Sequence, residues 1–263
     1  MSRFSLVIPT YNEAKNIESL CGRISQVLSE SAVDFEIIVV DDDSPDGTWT
    51  VVERLSQKDN RIRLIRRMNE RSLGSAVIAG WAEARGEVIG VIDGDFQHPP
   101  EILPGMIKII SEDAAVDIVV ASRNIKGGGI LKWSLLRRFF SLAGTYTSYF
   151  FLPRTLSQVR DPMSGYFILR KSVISGRHLT PMGYKILLEV LAKGSYRKAV
   201  EFPYFFQERE KGGSKAGMRQ YLTSLIYVIK LSIETKEVYR VIARVILLAL
   251  GALFLYYILR RVF

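Results

Sequence analysis

Phe4-Ser-Leu-Val-Ile8 is a short apolar run that ends at Pro9-Thr10. A second run, Phe35-Glu-Ile-Ile-Val-Val40, ends at Asp41, and the segment between them, 14–28, carries apolar residues at three- and four-residue steps. Two apolar runs of strand length separated by an amphipathic helix predict a parallel strand–helix–strand unit. This unit decides the fold class, because buried parallel strands need helices on both faces of the sheet.

The alternation of strand and helix continues toward the middle of the chain. Helices are predicted over 47–57 and 73–84, and strands near 62–65 and over 88–92. After Val120 the alternation breaks down, with helices predicted over 135–152, 185–192 and 218–235 and strands at 166–169 and around 200–206. The pattern predicts an α/β fold with a mostly parallel central sheet flanked by helices. In such sheets, ligands bind beyond the carboxyl ends of the strands.

The composition excludes several classes of protein. The 263 residues are 48% hydrophobic and 24% charged, so the chain has enough apolar material for a core. The single cysteine, Cys21, rules out a disulfide framework, and its apolar helical neighbours favour a small buried hydrophobe over a nucleophile. The two histidines, His98 and His178, are too few for a Cys/His zinc cluster. For His98, which precedes Pro99, a turn residue is favoured over a ligand contact.

The positive charge of the chain is concentrated in one window. The formal net charge is +9, and the segment 118–160 contains seven basic residues and no acid. Such a window indicates nucleic acid, a membrane surface or a phosphorylated ligand, with a solvated basic face as the alternative. Nucleic acid is disfavoured because the basic residues alternate with lipid-like apolar runs.

The C-terminal segment is strongly apolar. Residues 245–259 form a run of 15 without a charge, which as a helix is about 22 Å long against a hydrocarbon core of ~30 Å. A helix that starts at Val241 has 19 residues, including Arg244, and is about 29 Å long. Such a helix could span the bilayer only if the Arg244 side chain snorkels to the membrane surface. The segment predicts a hydrophobic helix that is marginal for spanning a bilayer; a helix lying on the membrane or buried in the protein is the alternative.

Three predicted strand ends carry acids and polar groups. They are Pro9-Thr-Tyr-Asn-Glu13, Asp41-Asp-Asp-Ser-Pro-Asp46 and Asp93-Gly-Asp-Phe-Gln-His-Pro-Pro100. Crowded carboxylates repel one another, so a shared cation or a donor-rich ligand is expected among them. Asp-x-Asp followed by Gln97 offers hard oxygen ligands that suit Mg²⁺ or Mn²⁺. The sequence has no Gly-x-Gly-x-x-Gly after the first strand and no Gly-Lys-Ser/Thr loop, which disfavours a Rossmann dehydrogenase and a P-loop NTPase.

Five motifs, in this order along the chain, resemble those of the family 2 glycosyltransferases. They are Val7-Ile-Pro-Thr-Tyr-Asn-Glu13, Val39-Val-Asp-Asp-Asp-Ser-Pro-Asp-Gly47, Asp93-Gly-Asp-Phe-Gln-His-Pro-Pro100, Asp161-Pro-Met-Ser-Gly165 and Gly213-Ser-Lys215. The resemblance implies a GT-A fold, with a catalytic domain over 1–231. The apolar patterns add interfacial helices and, after that domain, a juxtamembrane segment, 232–263, with a predicted transmembrane helix at about 241–259. The resemblance also implies a metal-dependent, inverting transfer of mannose from GDP-mannose to dolichyl (polyprenyl) phosphate on the cytoplasmic face of a membrane.

The resemblance further implies roles for single residues. The nucleotide-sugar pocket would be lined by Pro9, Tyr11, Glu13, Val40, Asp42, Asp93, Gly94, Asp95, Arg209 and Lys215. Asp95 and Gln97 would hold Mg²⁺ or Mn²⁺, and Asp93 would lie near the sugar. The acceptor phosphate would be bound by Arg123, Arg137 and Ser141. The catalytic set is then Asp93, Asp95, Arg123 and Arg137, and the expected partners are GDP-mannose, polyprenyl phosphate and membrane lipid, without nucleic acid.

Two other functions stay open on the sequence alone. One is a polyprenyl-phosphate glucosyl- or amino-sugar transferase with a UDP donor, because the spacing of the motifs does not indicate which base or which sugar the donor carries. The other is a non-catalytic, membrane-attached binding subunit with the same fold. The intact Asp93, Asp95 and Gln97 argue against this second alternative. Nothing in the sequence indicates the oligomeric state.

Overall fold

The computed structural model describes residues 3–131, 135–181, 185–207, 218–243, 245–247 and 249–251, without the side chains of 135–141 and 218–222. The strands are β1 (Phe4–Thr10), β2 (Phe35–Asp41), β3 (Ile62–Arg66), β4 (Val88–Val91), β5 (Val116–Ser122), β6 (Gly129–Ile130), β7 (Phe167–Arg170), β8 (Lys198–Pro203) and β9 (Phe205–Phe206). The helices are α1 (Ile17–Glu30), α2 (Thr48–Lys58), α3 (Leu73–Glu83), α4 (Leu103–Glu112), α5 (Leu135–Phe151), α6 (Ile186–Lys193) and α7 (Met218–Glu234).

The main sheet has seven strands in the order β3-β2-β1-β4-β7-β5-β8, and β6 pairs with β9 in a separate two-stranded sheet. The strand–helix–strand unit predicted from the N-terminal sequence is confirmed as β1, α1 and β2, with β1 and β2 parallel. The mostly parallel sheet is also confirmed. The exception is β7, which runs antiparallel to both of its neighbours, β4 and β5.

The antiparallel direction of β7 decides which residues share the edge of the sheet where the site lies. Phe167, the first residue of β7, lies opposite both Val91 of β4 and Val120 of β5. The residues that precede β7 therefore meet the residues that follow β4 and β5. Because β8 is parallel to β5, with Pro203 opposite Ser122, the residues that follow β8 reach the same edge.

Helices cover both faces of the sheet, as the buried strands require. Side chains of α1, α2 and α4 pack on one face, and those of α3, α6 and α7 pack on the other. Leu6 and Ile8 of β1 point to the first face and Val7 to the second, in the alternation expected of a strand. Each is fully buried, which contributes about 1.5–3 kcal/mol per side chain. Cys21 of α1 is fully buried as predicted, and burial raises its pKa to about 12.

The C-terminal segment is described only in part. Residues 238–243, 245–247 and 249–251 are helical, and the rest of the predicted span at 241–259 lies outside the described residues. Over the part that is described, the structure contains no helix with the length and hydropathy needed to span a bilayer. The membrane-spanning helix and the division into 1–231 and 232–263 stay predictions.

Candidate active site

The loops after β1 and β2 are joined by hydrogen bonds to side chains of the second loop and of the start of α2. The amides of Asn12 and Glu13 donate to the hydroxyls of Ser44 and Thr48, each at 2.9 Å. Asp41 accepts at 2.8 Å from the Thr10 hydroxyl and at 2.6 Å from the Ser44 hydroxyl, so its carboxylate holds the two loops together. The first two acidic loops predicted from the sequence are thus side by side.

Arginines at the end of β3 neutralise the carboxylates of the second loop. Arg67 donates to Asp42 at 2.7 Å, and the amide of Ser72 donates to the other oxygen of Asp42 at 3.0 Å. Arg66 donates to Asp43 at 2.8 Å. Burial raises the pKa of Asp42, although Arg67 opposes that shift. The positive charge that balances this loop is therefore supplied by the chain itself, through two adjacent arginines that the sequence analysis did not single out.

The other residues predicted for the nucleotide pocket lie around these loops. Pro9 and Val40 are buried, and Tyr11 and Glu13 are partly exposed. The guanidinium of Arg71 lies 4.9 Å from the centre of the Tyr11 ring. Buried apolar residues beside partly exposed polar side chains are the kind of surroundings that small-molecule sites use.

The loop after β4 presents the third acidic cluster on a strained turn. Phe96 has a φ of 60°, in the left-handed region that a bulky residue rarely adopts. The amide of Gln97 donates to Asp95 at 3.1 Å, and the Gln97 side-chain amide donates to the carbonyl of Gln207 at 3.2 Å. Asp95 and Gln97 are buried, and Asp93 is one-third exposed. Strain of this kind persists where the surrounding structure fixes the turn, as at functional sites.

The chemistry of these donors fits a divalent cation that is shared with a substrate. Asp95 supplies carboxylate oxygens and Gln97 supplies an amide oxygen, which are hard ligands. Among the described residues, no three His, Cys, Asp or Glu side chains form a complete metal cage. Two protein ligands suit Mg²⁺ or Mn²⁺, because these ions commonly keep waters and substrate phosphates in their coordination shell.

Arg123 and Asp161 form a buried ion pair beside this loop. Arg123 donates to Asp161 through Nε and Nη2, both at 2.7 Å, and through its main-chain amide at 2.9 Å. Asp161 is fully buried. Burial acts to raise the pKa of Asp161, but the charge and hydrogen bonds of Arg123 hold it below the ordinary value. The sequence predicted Arg123 as a phosphate ligand and did not reveal that Asp161 would fix its guanidinium.

A further cation, Lys185, lies near this pair and was missed by the sequence analysis. Burial and the neighbouring Arg123 lower its pKa to about 8, against the opposing charges of Asp161 and Asp93. Its position just before α6 carries no sequence motif, so only the folded arrangement reveals it. The positive charges of Arg123 and Lys185 make this end of the site suitable for an anion.

Four predicted site residues cannot be placed in the site by the structure. The backbone of Arg137 and Ser141 lies in α5, but their side chains are not described, and Arg209 and Lys215 lie outside the described residues. Their roles stay predictions.

Gly94 is expected to tolerate alanine. A Cβ there would lie 3.3 Å from Thr10 Cγ2 and 3.5 Å from Glu13 Cγ, which is tight but open to a small adjustment. For Gly94→Ala we expect transfer within about twofold of the parent and an unfolding free energy within about 1 kcal/mol. Initial rates and urea unfolding measure both. A large loss of either would show that the Asp93 turn needs glycine.

The chain is similar to known proteins over most of its length. Residues 5–176 match the family described as Glycosyl transferase family 2. The chain is 41% identical over 240 residues to a dolichol-phosphate mannosyltransferase of Pyrococcus furiosus, covering 91% of this chain and 66% of that protein's length. It is 36% identical to a dolichol-phosphate mannosyltransferase of Saccharomyces cerevisiae, covering 86% of this chain and 88% of the relative.

A solved structure extends the comparison to the fold. Glucosyl-3-phosphoglycerate synthase from Mycobacterium tuberculosis, in complex with Mn²⁺, UDP and glucosyl-3-phosphoglycerate, matches with a TM-score of 0.66. The match covers 89% of this chain and 80% of that one at 19% identity, so it concerns the fold alone. With the family match over more than half of its length and relatives of this similarity, the chain belongs to glycosyl transferase family 2.

Proposed function

We propose that this enzyme transfers mannose, with inversion, from GDP-mannose to dolichyl or another polyprenyl phosphate. The observation that carries the proposal is the meeting of two oppositely charged groups at one sheet edge. Asp93, Asp95 and Gln97 follow β4, and the Arg123–Asp161 pair with Lys185 lies next to them. An enzyme with two anionic substrates needs this arrangement, with a metal-assisted diphosphate on one side and a lipid phosphate on the other.

The residues of the acidic side fit the donor. Asp95 and Gln97 would hold Mg²⁺ or Mn²⁺, which when bound neutralises the charge of the leaving diphosphate. Asp93 belongs to the same loop and its charge acts on Arg123 and Lys185, so we assign it to the sugar that joins the two sides. Pro9, Val40 and the Asp42–Arg67 pair would form the nucleoside end of the pocket.

The basic side fits an acceptor that needs no general base. A phosphate monoester has a second pKa near 6, so at neutral pH its oxygens are ionised and can attack the anomeric carbon directly. The protein then has to orient the phosphate, which arginine guanidinium groups do well through paired hydrogen bonds. Asp161 engages the Nε–Nη2 edge of Arg123, so Arg123 would reach the phosphate through its remaining Nη protons, and Arg137 of α5 would be the second donor.

The surface of α5 and of the C-terminal helical residues supports a membrane location. Leu142, Tyr146 and Phe150 are spaced four residues apart on α5 and are 44%, 69% and 52% exposed. Exposed apolar side chains continue at Tyr239, Ile242, Val245, Ile246, Leu247 and Leu250. Helical apolar stripes of this kind bind at the surface of a bilayer. A catalytic domain on the cytoplasmic face, where nucleotide sugars are available, completes the proposal.

A direct assay distinguishes the donors. Membranes containing the protein are incubated with labelled GDP-mannose or labelled UDP-glucose, a polyprenyl phosphate and Mn²⁺, and the lipid-linked label is extracted. We expect label from GDP-mannose. Label from UDP-glucose alone would replace mannose by glucose, and no label from either donor would favour a non-catalytic binding subunit.

The acceptor site is tested by Arg137→Ala. Because this residue is assigned to the acceptor, we expect the KM for polyprenyl phosphate to rise about tenfold, which corresponds to the loss of one charged hydrogen bond. Donor affinity should stay nearly unchanged in calorimetric titration with GDP-mannose. An equal loss of donor and acceptor binding would contradict the acceptor assignment.

A further inference from the structure

We propose that His98 is a positioning residue that, together with Gly165, fixes the carboxylate of Asp93 for the donor sugar. The inference rests on the proposed function, because it assigns Asp93 to the sugar. It concerns a histidine for which the sequence favoured an ordinary turn residue before Pro99.

The hydrogen bond between the two side chains is the first observation. His98 Nε2 lies 3.2 Å from Asp93 Oδ2. Because a carboxylate only accepts, Nε2 carries the proton and donates it to this bond. Asp93 itself is one-third exposed, so its carboxylate faces the site while one of its oxygens is held from behind.

The packing of the His98 ring is the second observation. Three aromatic rings surround it, with centroids 5.2 Å away for Tyr166, 5.6 Å for Tyr204 and 5.2 Å for Phe206. The His98 side chain is 2% exposed. An imidazole packed in this way has little rotational freedom, so its Nε2 proton points in one direction and the bond to Asp93 is pre-organised.

The second ring nitrogen shows that packing alone does not explain a histidine here. His98 Nδ1 is buried and has no hydrogen-bond partner among the described residues. Leaving such an atom unsatisfied costs about 1–3 kcal/mol, a cost that phenylalanine at this position would avoid. The hydrogen bond that Nε2 makes to Asp93 therefore explains why a polar ring occupies this position.

Gly165 also lies against the Asp93 carboxylate. A Cβ at position 165 would lie 3.1 Å from Asp93 Oδ2 and 3.5 Å from Oδ1, so any side chain there would push the carboxylate. Gly165 belongs to the same short loop as Asp161, which holds Arg123. The loop before β7 thus sets the position of one group on each side of the site, Asp93 toward the donor and Arg123 toward the acceptor.

The test compares substitutions that keep or remove the Nε2 donor. His98→Phe retains an aromatic ring for the cage and removes the hydrogen bond. We expect it to lower kcat/KM for GDP-mannose by about 10- to 100-fold, the usual effect of losing a group that orients a site ligand. His98→Gln, whose amide can donate from nearly the same place, should recover activity to within about threefold of the parent.

The control is the other histidine. His178 is exposed and is not one of the site residues, so His178→Gln should leave transfer unchanged. Thermal unfolding of each variant measures any effect on the fold. A loss in His98→Phe that His98→Gln does not recover would overturn the positioning role.

A double-mutant cycle on donor binding separates positioning from a purely structural role. If His98 acts through Asp93, His98→Phe weakens donor binding in the parent protein, but changes it by less than about twofold once Asp93 is alanine. Gly165→Ala should show the same dependence on Asp93, without any change at His98. Equal losses with and without the Asp93 carboxylate would overturn the inference.

The cycle is read out on donor binding, so it does not depend on mannosyl transfer. Calorimetric titration with GDP-mannose and with UDP-glucose, each with Mn²⁺, identifies the donor that binds. The double-mutant cycle is then measured with that donor. If the parent protein binds only UDP-glucose, the proposed donor is wrong while the His98–Asp93 coupling is still measured. If the parent binds GDP-mannose and the coupling is absent, the inference fails and the proposed function stands.

Discussion

Asp95→Ala is expected to lower metal-dependent transfer by about 10³-fold or more, since a charged metal ligand stabilises the leaving diphosphate by several kcal/mol. Asp95 is 5% exposed and accepts the Gln97 amide at 3.1 Å, so it also shapes the turn that presents the second metal ligand. Within the part of the chain that the structure describes, no cluster of three His, Cys, Asp or Glu side chains offers an alternative metal site. Initial rates over a range of Mn²⁺ concentrations measure the effect.

The matched control for this variant is an acid outside the site. Asp113 lies on the surface after α4, paired with Lys198 at 2.9 Å. Asp113→Asn removes the same charge, and we expect unchanged transfer and unchanged dependence on Mn²⁺. Normal turnover by Asp95→Ala would show the metal assignment to be wrong. A loss of similar size in the Asp113 variant would show that net charge, and not ligation, was responsible.

Asp161→Asn is expected to destabilise the fold as well as reduce transfer. The substitution leaves the Arg123 guanidinium, which is 10% exposed, without its carboxylate. Removing one partner of a buried ion pair typically costs about 3–5 kcal/mol. Urea unfolding at neutral pH measures this loss. The acceptor KM should rise at the same time, because Arg123 would no longer be held toward the phosphate.

The same ion pair gives a pH dependence with a definite sign. The pKa of Asp161 is lowered in the folded protein, so its contribution to stability is complete above the ordinary carboxyl pKa and is lost as pH falls through the folded value. The parent protein should lose stability in acid, and the Asp161→Asn variant should show less of this loss. An equal loss of unfolding free energy at low pH in both proteins would contradict the assignment of this loss to Asp161.

A paired replacement separates the structural and functional parts of the effect. Buried ion pairs can be exchanged for apolar residues of similar volume with little loss of stability. Arg123→Met combined with Asp161→Leu is therefore expected to recover much of the unfolding free energy but none of the transfer. Recovery of both would mean that Arg123 has no role toward the acceptor.

The sequence predicted the local parts of the fold and of the site. The β1–α1–β2 unit and the clustering of acids after β1, β2 and β4 follow from periodicity and from strand ends, which are properties of short windows. Asp95 and Gln97 could be proposed as metal ligands because they lie within one turn. Arg123 was found by resemblance, but its partner Asp161 could not be derived from spacing.

The parts that the sequence missed depend on contacts between distant segments. From the sequence, His98 is predicted to be a turn residue. Its packing against Tyr204 and Phe206, which follow β8, is visible only in the structure. Arg67 and Lys185 carry no motif, and only the sheet brings them to Asp42 and Arg123. A single sequence contains no signal for such pairings, because periodicity and turn chemistry describe only neighbours along the chain.

The site is complete only when the antiparallel strand β7 has paired with β4 and β5. Its neighbours β4 and β5 lie far from it in sequence, and long loops must be closed, at an entropic cost, before these contacts form. Until β7 is in place, Gly165 cannot lie against Asp93, and Asp161 cannot hold Arg123. A nascent chain that has completed only its first four strands contains the acidic loops of the proposed donor side, but it lacks the residues that would join them to the acceptor side.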